Sequence, residues 1–305
     1  MSNNNVLSKT PIMILVAMFC CLLWGSAFSC IKVGYKMFGI AGSDVSSQIL
    51  FAGVRFTLAG IMVIVFGSLL NHKFIKPSKP KYIAVQSLFQ TVVQYLFFYM
   101  GLAHTTGVKS SIITGAGTFF TLLVCTLLFK QERLTGKKLI GTLVGFLGLI
   151  IVNISGKSLD LDLSFMGEGF ILIAAFSGAM AQAYIKKFSK DTDVVMLSGY
   201  QFFFGGLVMA IVGLVTGGHM SQVRLPGVLL ILYMGFISAA AYTLWGLLLK
   251  YNNVSSVATC KFMNPIFGAL ISFIVLNEKD SIGIQVVVAL ALVSLGIYIV
   301  NYKKN

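Results

Sequence analysis

The chain has 305 residues, of which 57% are apolar and only 10% charged, with a mean hydropathy of +0.90. Soluble domains carry about 25% charged residues, so this composition places the chain in lipid. It excludes a secreted disulfide scaffold, a disordered tail protein and an ordinary cytosolic enzyme. The net charge of +14 is spread in short groups between long apolar runs, which orients a bilayer protein and does not build the continuous basic face that nucleic acid requires.

Ten apolar runs bounded by charged or turn residues predict membrane helices at about 11–32, 48–70, 82–103, 108–129, 137–154, 165–185, 196–216, 226–249, 255–276 and 282–301. At roughly 20 apolar residues per span they leave no room for a soluble domain. The first run is too long for a cleaved signal peptide, and Trp24, Ser26 and Ser29 make its far end too polar, so it is expected to remain in the mature protein. Trp24 lies deep within it, a candidate for the aromatic wall of a pocket as well as for an interfacial belt. Arg55 enters the second run from the outer side, where a guanidinium would pair with helix-end carbonyls or with carboxylates such as Asp44 or Glu168.

In the third run Gln86, Gln90 and Gln94 recur at steps of four and stack on one helical face, with Ser87, Thr91 and Tyr95 beside them. Amides facing lipid would lack partners, so this stripe faces protein or a watery cavity. Its two roles are interhelical hydrogen bonding, worth about 0.6 to 2 kcal/mol per bond, and substrate contact, for which Gln90 and Gln94 lie nearest the midplane. Gln182 in the sixth run and Ser238, Tyr242 and Trp245 in the eighth, at steps of four and three, extend the list of pocket candidates.

Lys261 is the sharpest of these. It lies about two turns into the ninth run, and an ionisable residue inside a bilayer is a functional hypothesis by default. Pro265 cannot donate the helix hydrogen bond to the Lys261 carbonyl, so a free carbonyl and an ammonium are expected together at a kink, beside Asn264. Broken helices of this kind build substrate sites in transporters. The competing role is a lysine that snorkels to the interface. Glu132 and Glu278, at span ends, read as carboxylates favouring the N-terminal dipole of the helices that follow them, near Thr135 and near Asp280 or Ser281. His104 has no partner legible in the sequence. The five cysteines (Cys20, Cys21, Cys30, Cys125 and Cys260) fall inside apolar runs without CxxC spacing or a histidine at ligand spacing. They read as small apolar side chains, with no metal or cofactor implied.

With the N-terminus inside, 15 Lys and Arg residues fall on the cytoplasmic side and 6 on the other, with Arg55 and Lys261 within spans. Both termini are therefore expected in the cytoplasm, with the chain crossing the plasma membrane many times. The halves also resemble each other. Gly53, Phe56 and Gly60 match Gly199, Phe202 and Gly206 at an offset of 146, as do Val108, Ser110 and Glu132 with Val254, Ser256 and Glu278. Gly148 and Val152-Asn153 match Gly296 and Val300-Asn301 at 148. The fold class is thus all-α integral membrane, with ten transmembrane helices in two five-helix repeats, residues 1–156 and 157–305. Because five is odd, the second repeat is inverted relative to the first, a symmetry typical of secondary transporters.

At this point the residues resemble a family, the EamA-type ten-span members of the drug/metabolite transporter superfamily. The resemblance is carried by Trp24-Gly25-Ser26-Ala27-Phe28 with Lys32, Arg55-Phe56 with Ala59, Gln131-Glu132-Arg133-Leu134-Thr135, Asn264-Pro265 and Asn277-Glu278, and it covers about 12–301. It implies a carrier, often an exporter of amino acids, nucleosides or other small metabolites, with spans five and ten peripheral to a central cavity. The family places an arginine at Arg55 whatever the substrate, which favours a structural or gating role there. Where the family usually has a proline in the fourth span, this chain has Phe119, so Gly115 and Gly117 are expected to supply the bend and Pro265 to supply its counterpart.

The chain carries no HExxH, GxSxG or nucleotide-binding loop, so an enzyme and a primary pump are both disfavoured. No acidic residue is expected near the midplane, which disfavours cation/proton exchange. Lys261 as the deepest charge favours amino-acid-like or carboxylate-bearing substrates. The alternatives are a carrier of quaternary amines held by Trp24, Tyr242 and Trp245, and a channel-like or receptor-like membrane protein. The expected partners are a small-molecule substrate and membrane lipid. A homodimer through spans five and ten is a further reading, since Gly141, Gly145 and Gly148 form a small-residue surface that could equally pack within one protomer.

Overall fold

The computed structural model describes residues 5–105, 107–153, 164–276 and 284–302. Among the described residues ten helices are long and apolar enough to cross a membrane: α1 Thr10–Met37, α2 Val45–Leu70, α3 Pro80–Leu102, α4 Lys109–Leu128, α5 Gly136–Asn153, α6 Phe165–Phe188, α7 Val194–Val215, α8 Leu225–Tyr251, α9 Val254–Ile271 and α10 Ile284–Asn301. These agree with the predicted spans to within a few residues, apart from α1, which runs more than one further turn to Met37, and α9, whose span closes at Ile271 although its helix continues to Leu276. Local chemistry sets the starts. Proline opens α1, α3 and α8, where its missing N–H costs nothing. Asp44 and Asp193 cap α2 and α7 by accepting from the amides of Ser47 and Met196.

The two halves form an inverted repeat, and the packing is unchanged when they are exchanged. In each half the first helix lies against the third and fourth helices of the other: α1 on α8 and α9, α6 on α3 and α4. The most extensive contacts are α2 with α7 and α5 with α10, again repeat mates. Between lipid-embedded helices there is no hydrophobic driving force, so close backbone approach carries the association. A side chain at Gly53 would meet the Ala210 nitrogen at 2.3 Å and the Gly206 carbonyl oxygen at 2.9 Å, while one at Gly60 would meet the Phe203 nitrogen at 2.3 Å and the Gly199 oxygen at 2.7 Å. Exchanging the halves maps the first crossing onto the second.

Gly141, Gly145 and Gly148 are consumed within the chain. Gly141 lies against Gly296 and Val300, Gly145 against Phe262, and Gly148 against Ala289 and Val293. The small-residue surface that the sequence offers to a second protomer is therefore filled by α9 and α10.

With ten crossings both ends of the chain reach one membrane face, here termed the terminal face; Asn252 in the α8–α9 turn donates to the Leu7 carbonyl there at 2.9 Å. Toward this face the helices are tightly packed around fully buried residues such as Ala17, Cys21, Cys125, Ala183, Leu248 and Val257. Toward the opposite face the packing loosens. Residues 92–98 of α3, 111–117 of α4 and 267–271 of α9 contain no buried side chain.

Among the described residues four spans depart from α-geometry, α9 through a 3₁₀ turn over Thr259–Met263 and three through π-turns. α3 is a π-helix over Leu88–Val93, α4 over Val124–Leu128 and α6 over Phe165–Gly169. In α3 the Phe89 carbonyl accepts from Ser177 Oγ of α6 at 2.6 Å, a partner that the widened turn makes available. The bend expected of Gly115 and Gly117 is not where α4 departs from α-geometry. That departure is the π-turn two turns later, while a side chain at Gly115 would strike Leu149 at 2.4 Å and Gly117 faces Ala175, so these glycines are close-packing sites. Phe119, at the family's proline position, packs edge-on to Phe146.

Candidate functional site

Near the middle of the bundle α1, α8 and α9 bring four predicted residues together. The Trp24 ring lies 5.0 Å from Tyr242 and 5.0 Å from Trp245, centroid to centroid. Lys261 Nζ stands 5.4 Å above Trp245 and 5.8 Å from Trp24. No carboxylate among the described residues is within ion-pair distance of it. A cation–π contact at a desolvated site is worth about 2 kcal/mol, whereas burying an ion away from water costs several kcal/mol. The rings therefore offset part of the cost of this half-buried ammonium, and an anion would offset the rest.

The backbone under Lys261 differs from the expected kink. Thr259–Met263 form a 3₁₀ turn, and the Lys261 carbonyl that Pro265 cannot satisfy accepts instead from the Asn264 N–H. The carbonyl is not free, because the tighter turn brings a donor one residue earlier than an α-helix would. The side chain of Asn264 keeps the unsatisfied atom, Oδ1, and Trp24 Nε1 also lacks a partner.

Gln182 orients the box. Its Oε1 accepts from Trp245 Nε1 at 3.3 Å and its Nε2 donates to Thr121 Oγ1 at 2.9 Å. Thr121 spends its own hydroxyl proton on the Gly117 carbonyl, which leaves its lone pairs for Gln182. On the other side the Tyr242 hydroxyl is bonded to that of Tyr95. The Tyr242 ring packs on Phe202 at 4.9 Å, the Tyr95 ring on Phe56 at 4.5 Å, and the Arg55 guanidinium lies 4.3 Å above Phe56. Thr121 and Phe202 were not singled out from the sequence. The sequence pairs Phe202 with Phe56 as its repeat mate but assigns it no place in the site, and no signal marks Thr121.

The remaining candidates lie around this box. Ser238 is buried one turn before Tyr242. Gln94 faces Gly178 of α6, where a side chain would come within 3.1 Å of its Oε1. Gln90 accepts from Gln86 Nε2, which also reaches the Ala181 carbonyl at 3.2 Å, so this pair serves the α3–α6 contact. Arg55 does not make its expected ion pairs. Asp44 is held by the Ser47 amide at 3.0 Å and hydroxyl at 2.6 Å, with His219 at 3.9 Å. Glu168 is held by Thr105, by the Ser164 amide at 2.7 Å and by Lys109 at 3.7 Å.

Two clefts of about 540 and 300 Å³ lie at the terminal face, around Gln131 and Arg133 and around Phe74 and Asp193. Neither is lined by a residue of the aromatic box. At the same face Glu132 departs from its expected role. It bonds the amide and hydroxyl of Ser255 at 3.0 and 2.9 Å and Lys138 Nζ at 2.9 Å, and so caps α9 of the other repeat rather than the helix that follows it. Its repeat mate Glu278 lies outside the described residues. His104 uses its own helix, with Nδ1 at 2.9 Å from the Met100 carbonyl.

The chain matches the EamA-like transporter family twice, over residues 11–154 and 165–302. It belongs to that family. Among similar proteins, the uncharacterized transporter YvbV of Bacillus subtilis is 26% identical over 98% of this chain and 94% of its own length. The probable amino-acid metabolite efflux pump of Escherichia coli is 24% identical over 93% of both chains. An uncharacterized transporter of Methanothermobacter thermautotrophicus is 27% identical over 71% of this chain, a match that spans 63% of the relative. A solved crystal structure superimposes with a TM-score of 0.77 at 15% identity, covering 94% of this chain and 96% of that one, which establishes the shared fold. This EamA-like transporter is accordingly a multi-pass membrane protein.

Proposed function

We propose that this EamA-like transporter is a secondary carrier that exports small organic metabolites, with amino-acid-like or carboxylate-bearing substrates first, by alternating access around the box formed by Trp24, Tyr242, Trp245 and Lys261. The observation that carries this reading is Lys261, which is held over two indole rings without a carboxylate partner among the described residues. It stands near the unsatisfied Asn264 Oδ1 and Trp24 Nε1, so an anionic group with polar atoms beside it would complete the cluster. Gln182 orients the indole of Trp245, and Ser238 and Gln94 border the site. The repeats, residues 1–156 and 157–305, rock about their shared axis, and Arg55, Gly115, Gly117 and Pro265 belong to the moving frame.

The positive-inside count supports a plasma-membrane protein with both termini in the cytoplasm. In that orientation the dense terminal face is cytoplasmic and the looser packing faces outward, as in a carrier that has just presented its site to the exterior. The name of the Escherichia coli relative, an amino-acid metabolite efflux pump, supports the direction. A carrier of quaternary amines fits less well, because Lys261 already occupies the indole faces that such a cation would need.

The test is thermal stabilisation of purified protein by amino acids, carboxylates, nucleosides and quaternary amines, since a ligand of the folded state raises Tm by mass action. Stabilisation by carboxylates that is lost in Lys261→Ala supports the reading, and a folded Lys261→Ala protein with unchanged carboxylate affinity overturns it. Counterflow in proteoliposomes separates carrier from channel, because only a carrier exchanges a bound molecule.

A further inference from the structure

Arg55 is a second uncompensated cation. It is 5% exposed and its Nε has no hydrogen-bond partner. The carboxylates nearest to it in a sequence reading, Asp44 and Glu168, are both engaged elsewhere, and no ion pair reaches it among the described residues. A guanidinium cannot shed its charge as a buried lysine can, so the site must accommodate the charge permanently. Its cation–π contact is the Phe56 face, 4.3 Å away.

A chain of contacts joins that ring to the box. Lys261 lies on Trp24, Trp24 packs on Tyr242, Tyr242 is bonded to Tyr95, Tyr95 packs on Phe56, and Arg55 lies on Phe56. The two cations thus flank one aromatic wall from different ends. A single small anion pairs with one cation and leaves the other uncompensated, whereas two anionic groups on one carbon skeleton of matching length would pair with both. The guanidinium, with its planar fork of donors, suits a carboxylate, and Lys261 supplies a point charge for the other.

We propose that the site binds a small organic acid with two carboxylates, one taken by Lys261 and the other by Arg55. This rests on the carboxylate-transport reading above and narrows it. It also gives Arg55 a direct role in specificity in place of a purely structural one.

The experiment measures half-saturating concentrations, by thermal stabilisation and by counterflow, for succinate, glutarate and adipate, for their monomethyl esters, and for butyrate and valerate. The dicarboxylate of best-fitting length is expected to bind tighter than its own monoester by about ten-fold or more, the value of one charged hydrogen-bonded contact. Arg55→Gln is expected to weaken the dicarboxylate by a similar factor and to leave the monoester within about two-fold, with Arg55→Lys intermediate. The ester comparison uses the unaltered protein, so it stands even if Arg55→Gln fails to fold. Monocarboxylates that bind as well as dicarboxylates would overturn the two-carboxylate proposal and leave the transport reading intact. Stabilisation by amines with none by any carboxylate would overturn both.

Discussion

Phe56 and Phe202, equivalent residues of the two repeats, stack on each other with ring centroids 5.4 Å apart and planes 13° from parallel. Both are fully buried, and each supports one of the two bonded tyrosines, Phe56 the ring of Tyr95 and Phe202 that of Tyr242 in the box. The pseudo-symmetry thus has a physical contact at its centre, and the contact is shared with the candidate site. Truncating either ring to alanine leaves a cavity that the other cannot fill, at a cost of about 3 kcal/mol or more. Phe56→Ala and Phe202→Ala are expected to lower the Tm by similar amounts. The double variant should cost about 1 kcal/mol or more less than the sum, because the two share one contact. Additive effects in thermal melts would mean that the rings act independently.

The α2–α7 crossing makes a sharper prediction about backbone approach. A methyl at Gly53 would lie 2.3 Å from the Ala210 nitrogen, and one at Gly206 would lie 2.4 Å from that of Thr57. Backbone atoms cannot rotate aside, so Gly53→Ala and Gly206→Ala should each destabilise the protein by about 2 kcal/mol or more. Gly42 has nothing within 4 Å, and Gly42→Ala should stay within about 0.5 kcal/mol of the parent protein. Equal melting of all three variants would show that the two helices can separate without cost.

The ten spans, their order and the inverted repeat were legible in the sequence, because hydropathy and charge reflect the bilayer and the repeat is preserved in matching residues such as Gly53 and Gly199. The cluster of Trp24, Tyr242, Trp245 and Lys261 was legible in part, since polar and aromatic residues deep in apolar runs are costly there. What could not be read was pairing between distant helices. Glu132 sits four residues before its own helix, yet bonds Ser255, 123 positions away. The Lys261 carbonyl was expected to be free because an α-helical register was assumed; the 3₁₀ turn changes the register and supplies Asn264 as donor. The π-turn of α3 likewise breaks the even four-residue step on which the Gln86–Gln94 stripe was drawn.

The α2 cap gives stability a defined dependence on pH. Hydrogen bonds from the Ser47 hydroxyl and amide hold the Asp44 carboxyl below its ordinary value of 3.8. A carboxylate depressed in the folded state contributes stability that is fully present above its unfolded pKa and is lost as pH falls through the folded one. The wild-type advantage over Asp44→Ala, about 1 kcal/mol for an N-cap, should therefore be fully present at about pH 5 and shrink once the pH falls below 3.8. Melting curves of the two proteins across that range check it. A difference that instead grows on acidification would mean that another group controls this end of α2.

Glu132 links the two repeats at the terminal face, and its side chain is only 4% exposed. It accepts from the Ser255 amide and hydroxyl in the second repeat and from Lys138 in the first, while Lys138 is further held by the Arg133 carbonyl at 2.8 Å. Under the alternating access proposed above, opening this face would part α9 from the α4–α5 connection that carries Glu132, and these bonds would then break. Hydrogen bonds to charged groups are worth about 1.5 to 3 kcal/mol, so Glu132→Gln should shift the closed–open balance by roughly ten-fold or more. Cys125, buried in the π-turn that ends α4 and bonded through its carbonyl to the Gln131 amide at 2.8 Å, is a native reporter. In a background where it is the only cysteine, its labelling by a water-soluble thiol reagent should accelerate by that factor in Glu132→Gln, and less in Ser255→Ala, which removes one bond and keeps the amide contact. If Glu132 serves only to cap α9, Glu132→Gln will lower the Tm and leave the labelling rate at physiological temperature unchanged.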